Sequence, residues 1–183
     1  MTKLKTIRDA AITDSDYDDY NFQEKLTLEL DNHAGEFNQD HLNKIVLWKV
    51  NRYAAFDKET IELINAIDPS SDELDIPFSE QLLKKLLKTG GVGLPMASTI
   101  LRFRNPKIYQ IIDQRAYRFL CGKPLDLPAG KSEKSIDEQI DKYLEYLQEL
   151  KNTCQQYSLP FEDADRVLYM ADKRVNGHIK LKY

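Results

Sequence analysis

Apolar residues recur along this chain mainly at three- and four-residue spacing, the period of a helix with one buried face. After Asn38, a good N-cap, Leu42, Ile45, Val46, Val50 and Tyr53 share one such face, with Lys49 among them and Trp48 on the flank. A second helix is predicted from near Asp57, carrying Ile61, Leu63 and Ile64 and ending before "DPSSDELDIP", the clearest loop in the chain. From Ser79, whose hydroxyl can cap it, "EQLLKKLLK" sets Leu82, Leu83, Leu86 and Leu87 inward and Lys84, Lys85 and Lys88 outward. Ser135 and Glu138 read as the capping box of a long helix striped by Ile136, Ile140, Tyr143, Leu144 and Leu147. A last helix follows Pro160, with Glu162, Asp163 and Asp165 in its first turn, Lys173 and Arg174 in its last and Gly177 just beyond. The first 37 residues are ambiguous. "TDSDYDDY" is acidic and turn-prone, and Leu26, Leu28 and Leu30 alternate as a strand would, although a short helix fits them equally.

Composition narrows this picture to an all-α protein. The chain has 183 residues, 42% of them hydrophobic, with ten tyrosines and seven phenylalanines to fill a core. Seven glycines and seven prolines leave little room for a turn-rich β fold. We expect one helical unit over residues 1–183. No run approaches the ~20 apolar residues of a membrane span, and the start "MTKLKTIRDA" lacks the apolar centre of a signal peptide, which predicts a cytoplasmic location. The two cysteines, Cys121 and Cys154, have no CxxC spacing, and the three histidines, His33, His41 and His178, are scattered, so no metal-ligand set is expected. Structural thiols are the simpler reading.

The net charge of −4 conceals a strong asymmetry. Lys84, Lys85, Lys88, Arg102, Arg104, Lys107, Arg115 and Arg118 stand against one acid, Asp113, so residues 84–118 carry +7 and the remainder −11. Such bases commonly solvate helix faces, yet this many beside one acid also suit a nucleic-acid backbone. Within the segment, "TGGVG" can join two helices as a tight hairpin. Val92 would plug between the helices while Gly91 and Gly93 leave backbone amides uncovered. Pro95 fits the first turn of the second helix, and the amides with that helix's positive end make a site for an anion such as a nucleic-acid phosphate. A dinucleotide fingerprint is excluded, because no apolar strand precedes the glycines and the third glycine is missing.

"LLKTGGVGLPMASTILRF", followed by "IIDQRA", resembles the helix-hairpin-helix and Gly/Pro–Asp signature of the base-excision DNA glycosylase superfamily over Leu82–Leu120. The resemblance implies two helical lobes around a cleft, with the signature segment 79–121 at its mouth and double-stranded DNA as partner. It also implies a hairpin of Gly91, Val92 and Gly93 that grips a phosphate, a monovalent cation on the hairpin backbone, and a catalytic aspartate at Asp113. Lys88, Arg102, Arg104 and Arg115 would then meet DNA. Two departures matter. Pro95 stands where bifunctional members carry a lysine nucleophile, so no lyase step is expected, and Gln114 and Arg115 follow the aspartate where a small or hydroxylated residue and then histidine are common.

Asp113 also has a case of its own. Breaking an N-glycosidic bond builds positive charge on the sugar, which a nearby carboxylate stabilises, and surrounding bases would keep that carboxylate ionised. The plainer role is to cap the helix "QRAYRFL" and pair with Arg115 or Arg118. Trp48, with Lys49, Arg52 and Tyr53, can be a stacking group or simply core, and Tyr109 and Tyr117 either line a base pocket or pack. Three functions therefore stand: a monofunctional DNA glycosylase, a DNA-binding module without chemistry, and a helical interaction protein.

Overall fold

A computed structural model describes residues 22–51 and 53–181, and these contain eight α-helices and no strand. The acidic run at 13–20 and Arg52 lie outside the described residues. Where one unit was expected, the chain divides into two compact units, Met1–Tyr53 and Ala54–Tyr183. The first holds α1 (Glu24–Asp31) and α2 (Gln39–Lys49). The Leu26 to Leu30 stretch is therefore helical, with Leu26 buried and Leu28 exposed, since residues four apart share a helix face. Asn38 caps α2 as predicted, accepting from the His41 amide at 3.0 Å, while the His41 ring answers the Asn38 amide. Trp48 donates its Nε1 proton to Thr27 at 2.8 Å and packs edge-on against Phe22, so it serves the packing of this unit. The rings of His33 and His41 lie tilted at 35° to each other with centroids 3.8 Å apart.

The second unit holds α3 (Lys58–Ala66), α4 (Ile76–Lys88), α5 (Leu94–Arg104), α6 (Gln114–Cys121), α7 (Glu133–Tyr157), a short 3-10 turn at Phe161–Asp163 and α8 (Ala164–Val175). Two predicted caps are displaced. Asp75 rather than Ser79 caps α4, accepting from the Phe78 amide at 3.0 Å, because Pro77 fits the first helical turn and lets the helix start earlier. The buried Ser79 hydroxyl instead donates to the Asp75 carbonyl and meets the Tyr109 hydroxyl at 2.7 Å. Ser132 rather than Ser135 caps α7, and the Ser135 hydroxyl turns back onto the connector carbonyls of Pro128, Ala129 and Gly130. At the far end of α8, a Cβ on Gly177 would stand 2.4 Å from the Lys173 carbonyl oxygen, so that turn admits only glycine.

The core runs through all of these elements: Leu82, Leu83, Leu86 and Leu87 of α4 meet Leu94, Ala97 and Leu101 of α5 and Ile136, Ile140, Tyr143 and Leu147 of α7. A non-helical segment, residues 105–113, passes through this core, and buried backbone there needs partners from side chains. They are supplied in order. Asn105, fully buried, donates to the carbonyls of Asp68 and Ser71, and Tyr143 donates to the Gln110 carbonyl at 2.9 Å. Tyr146 donates to the Ile111 carbonyl at 2.9 Å, Asp165 accepts from the Ile111 amide at 3.2 Å and Ser98 from the Ile112 amide at 3.2 Å. Burial drives both tyrosine hydroxyls well above the usual phenol range, so they remain donors. The segment thus delivers Asp113 to the start of α6 on a braced backbone.

Candidate functional site

The hairpin forms as its residues predict. Thr89 ends α4, Val92 is buried between the helices, and Gly91 takes φ +79°, a conformation that glycine alone adopts without strain. Gly93 is the N-cap of α5 with no side-chain cap, which leaves the first-turn amides of that helix without a side-chain acceptor. Its φ of −108° is ordinary, and a Cβ there would meet only Pro95 Cδ, at 3.9 Å. One hairpin carbonyl is already engaged, for the Lys131 ammonium from the connector donates to the Thr89 oxygen.

Asp113 caps α6: its Oδ1 accepts from the Arg115 amide at 2.8 Å and the Ala116 amide at 2.7 Å. The carboxyl is half-buried, and burial raises its pKa above the ordinary range. Those two amides oppose the shift, the negative charge of Asp165 adds to it, and Arg115 opposes it weakly. The expected depression of its pKa by neighbouring bases is therefore outweighed by burial. The expected ion pair does not form, because Arg115 and Arg118 turn to Asp172 of α8 instead. Asp172 is completely buried, accepts from Arg118 Nη2 at 2.6 Å, Arg118 Nε at 2.8 Å and Arg115 Nη1 at 3.1 Å, and is held down to about 2, chiefly by Arg118. Together the two arginines clamp α6, and with it Asp113, against α8.

The other predicted DNA-contacting bases have internal partners. Arg102, with 8% of its side chain exposed, donates to the Glu162 carbonyl at 2.9 Å and lies 3.4 Å from Asp165. Arg104 donates to the carbonyls of Ile64 and Asn65, capping the end of α3. Lys88 pairs with Glu133 at 2.6 Å, Lys84 with Asp137 at 2.9 Å, Lys85 with Glu59 at 2.6 Å and Lys107 with Asp72 at 3.1 Å. All eight bases of the +7 segment are thus matched. The lysine pairs are exposed and weak enough to exchange for phosphate, whereas Arg102 is fixed by burial.

Two residues of consequence carry no sequence signal. Asp165 and Asp172 sit seven apart on α8, a spacing that places both on one helix face, yet only the packed structure reveals that this face is inside. Tyr109 and Tyr117 prove to be core residues. Asp113 and the hairpin glycines border none of the five best-formed concavities of the described residues. One concavity of about 400 Å³ lies along α6 and α7, lined by Tyr117, Cys121, Lys123, Lys142, Tyr146 and Glu149 among others. The described residues are helical throughout their regular structure, with α4 and α5 joined by a tight glycine turn and a braced aspartate capping α6. Comparison of the chain with family models, with curated proteins and with solved structures returns no match to any of them. No helix among the described residues is long and apolar enough to cross a membrane.

Proposed function

We propose that this chain is a monofunctional DNA glycosylase of helix-hairpin-helix type, in which the hairpin grips a phosphate of duplex DNA and Asp113 promotes hydrolysis of the bond between a damaged base and its sugar. The observation that carries the reading is the setting of Asp113. One carboxylate oxygen is fixed by two amides at the α6 start, on a backbone segment held by Ser98, Tyr143, Tyr146 and Asp165. A carboxylate so fixed needs no reorganisation to face an oxocarbenium-like sugar. The same carboxylate can take a proton from the attacking water as general base. The damaged base would have to leave the helical stack to reach it. Pro95 offers no amine, so the product is an intact abasic strand.

A second reading, a DNA-binding module without chemistry, is favoured by one observation: five concavities of the described residues are lined by residues other than Asp113. Incubation with duplexes that each carry one lesion, followed by alkali, separates the two. The glycosylase reading expects alkali-dependent nicking of at least one duplex, no adduct trapped by borohydride, and a fall of ~10²-fold or more in Asp113→Asn with DNA binding retained. Binding without base release from any lesion leaves the module.

A further inference from the structure

The arginine charge expected to face DNA from residues 102–118 is largely spent on partners within the protein, and this changes the character of α8. Its two acids are buried, Asp165 beside Arg102 and Asp172 beneath Arg115 and Arg118. Its bases all point outward: Arg166, Lys173 and Arg174 are exposed, as is Lys180 just beyond the helix. Among the described residues, none of these four has a carboxylate within ion-pair range. Residues 164–181 expose no acid at all. Arginines from α5 and α6 thus neutralise the inner face of α8, and its outer face carries three cations, followed by Lys180, that have no carboxylate partner among the described residues.

We propose that this outer face of α8, made by Arg166, Lys173 and Arg174 and continued by Lys180, is the surface that holds the phosphodiester backbone of duplex DNA. The proposal rests on the reading of DNA as partner. Arg166, Met170, Lys173 and Arg174 lie at i, i+4, i+7 and i+8, one stripe about 12 Å long at ~1.5 Å rise per residue. A duplex presents one phosphate charge per ~1.7 Å of its axis, so a rigid row of cations on this scale meets several phosphates at once. The helix that carries the row braces the Asp113 segment from its opposite, buried face: Asp165 accepts from the Ile111 amide at 3.2 Å, and Asp172 holds Arg115 and Arg118 of α6. Val167, Met170 and Ala171 form a shallow apolar floor between Arg166 and Arg174 that can pack against sugar faces, with the exposed Asp163 at its edge as the one acid. An acidic peptide or an anionic membrane would also be drawn to the charge, but neither presents fixed charges at the close, regular axial spacing of a duplex backbone.

The test is the salt dependence of duplex binding by the full chain, measured by fluorescence anisotropy on an undamaged oligonucleotide. Each phosphate contact contributes a log–log slope of about −0.9. The triple variant Arg166→Ala, Lys173→Ala, Arg174→Ala should therefore flatten the slope by about 2.7 and weaken binding by ~10²-fold near 0.1 M salt. Because all three side chains are exposed, its thermal unfolding should match that of wild type. The triple lysine–arginine exchange Arg166→Lys, Lys173→Arg, Arg174→Lys should keep the slope. Wild-type slope in the folded alanine variant overturns the proposal. So does equally tight, equally salt-sensitive binding of poly-glutamate or phosphatidylserine vesicles, which assigns the face to an acidic protein or a membrane. If no lesion is processed while the triple variant still loses DNA, the glycosylase reading fails and the surface stands.

Discussion

Asp172→Asn tests the clamp that holds the Asp113 helix in place. The wild-type carboxylate is completely buried and accepts four hydrogen bonds, two from Arg118 and one each from Arg115 and Asn176. Its pKa is depressed from 3.8 to about 2, chiefly by Arg118. At about 1.36 kcal/mol per unit this corresponds to a ceiling near 2.4 kcal/mol, which solvent around the two partly exposed arginines reduces to about 1–2 kcal/mol. The sign follows from the direction. A depressed carboxylate binds fewer protons in the folded state, so its contribution is fully present above about pH 4 and is lost as pH falls toward about 2. Asparagine keeps one oxygen, turns an amide toward the guanidinium groups and leaves them underpaired. We expect a loss of about 2–4 kcal/mol at pH 7. The gap between variant and wild type should then close by about 1–2 kcal/mol between pH 5 and pH 2.5, as the wild-type carboxylate protonates. Urea unfolding followed by circular dichroism across that range reads both numbers. A gap that stays constant with pH would refute the assignment of the depressed carboxylate to Asp172, and a loss below about 1 kcal/mol at pH 7 would refute its structural weight.

Two further predictions concern the hairpin and the brace. Gly93→Ala should change stability by less than about 1 kcal/mol, since its backbone is unstrained and its Cβ meets little, yet weaken duplex binding in a filter or anisotropy assay if the α5 amides take a phosphate. Gly91→Ala, at φ +79°, should instead destabilise the fold by about 1–2 kcal/mol in chemical denaturation. Tyr146→Phe removes the donor to the Ile111 carbonyl and should cost about 1–3 kcal/mol, with faster hydrogen exchange at the amides of Ile111 and Ile112.

The helical architecture was legible because it is written locally. Leucine spacing in α4, Asn38 at the head of α2 and glycine at the hairpin each act through neighbours within a turn, and each behaves as its chemistry requires. Caps were legible to within a few residues only, because several polar residues compete for the same amides. Asp75 and Ser132 succeed where Ser79 and Ser135 were predicted, and each displaced serine finds a buried carbonyl instead. The capping role of Asp113 could be read from its place before "QRAYRFL", but its environment could not. Whether a carboxylate is charged depends on which distant groups are brought to it, and Asp165 lies 52 positions away.

The arginines show most clearly where local reading stops. A basic segment in an acidic chain looks like an exposed surface when only its own residues are counted, because counting assigns no partners. Folding assigns them. Acids from α3, α7, α8 and the loop after α3 meet every lysine of the segment and three of its four arginines, and backbone carbonyls take the fourth, Arg104. Charge is conserved in this matching, so an acid consumed inside uncovers a base elsewhere. On α8 the consumed acids are Asp165 and Asp172, and the uncovered bases are Arg166, Lys173 and Arg174, residues that in sequence look balanced by their immediate neighbours. Which cations of α8 stand exposed is therefore set by long-range pairing, on a helix whose own sequence holds three bases against two acids.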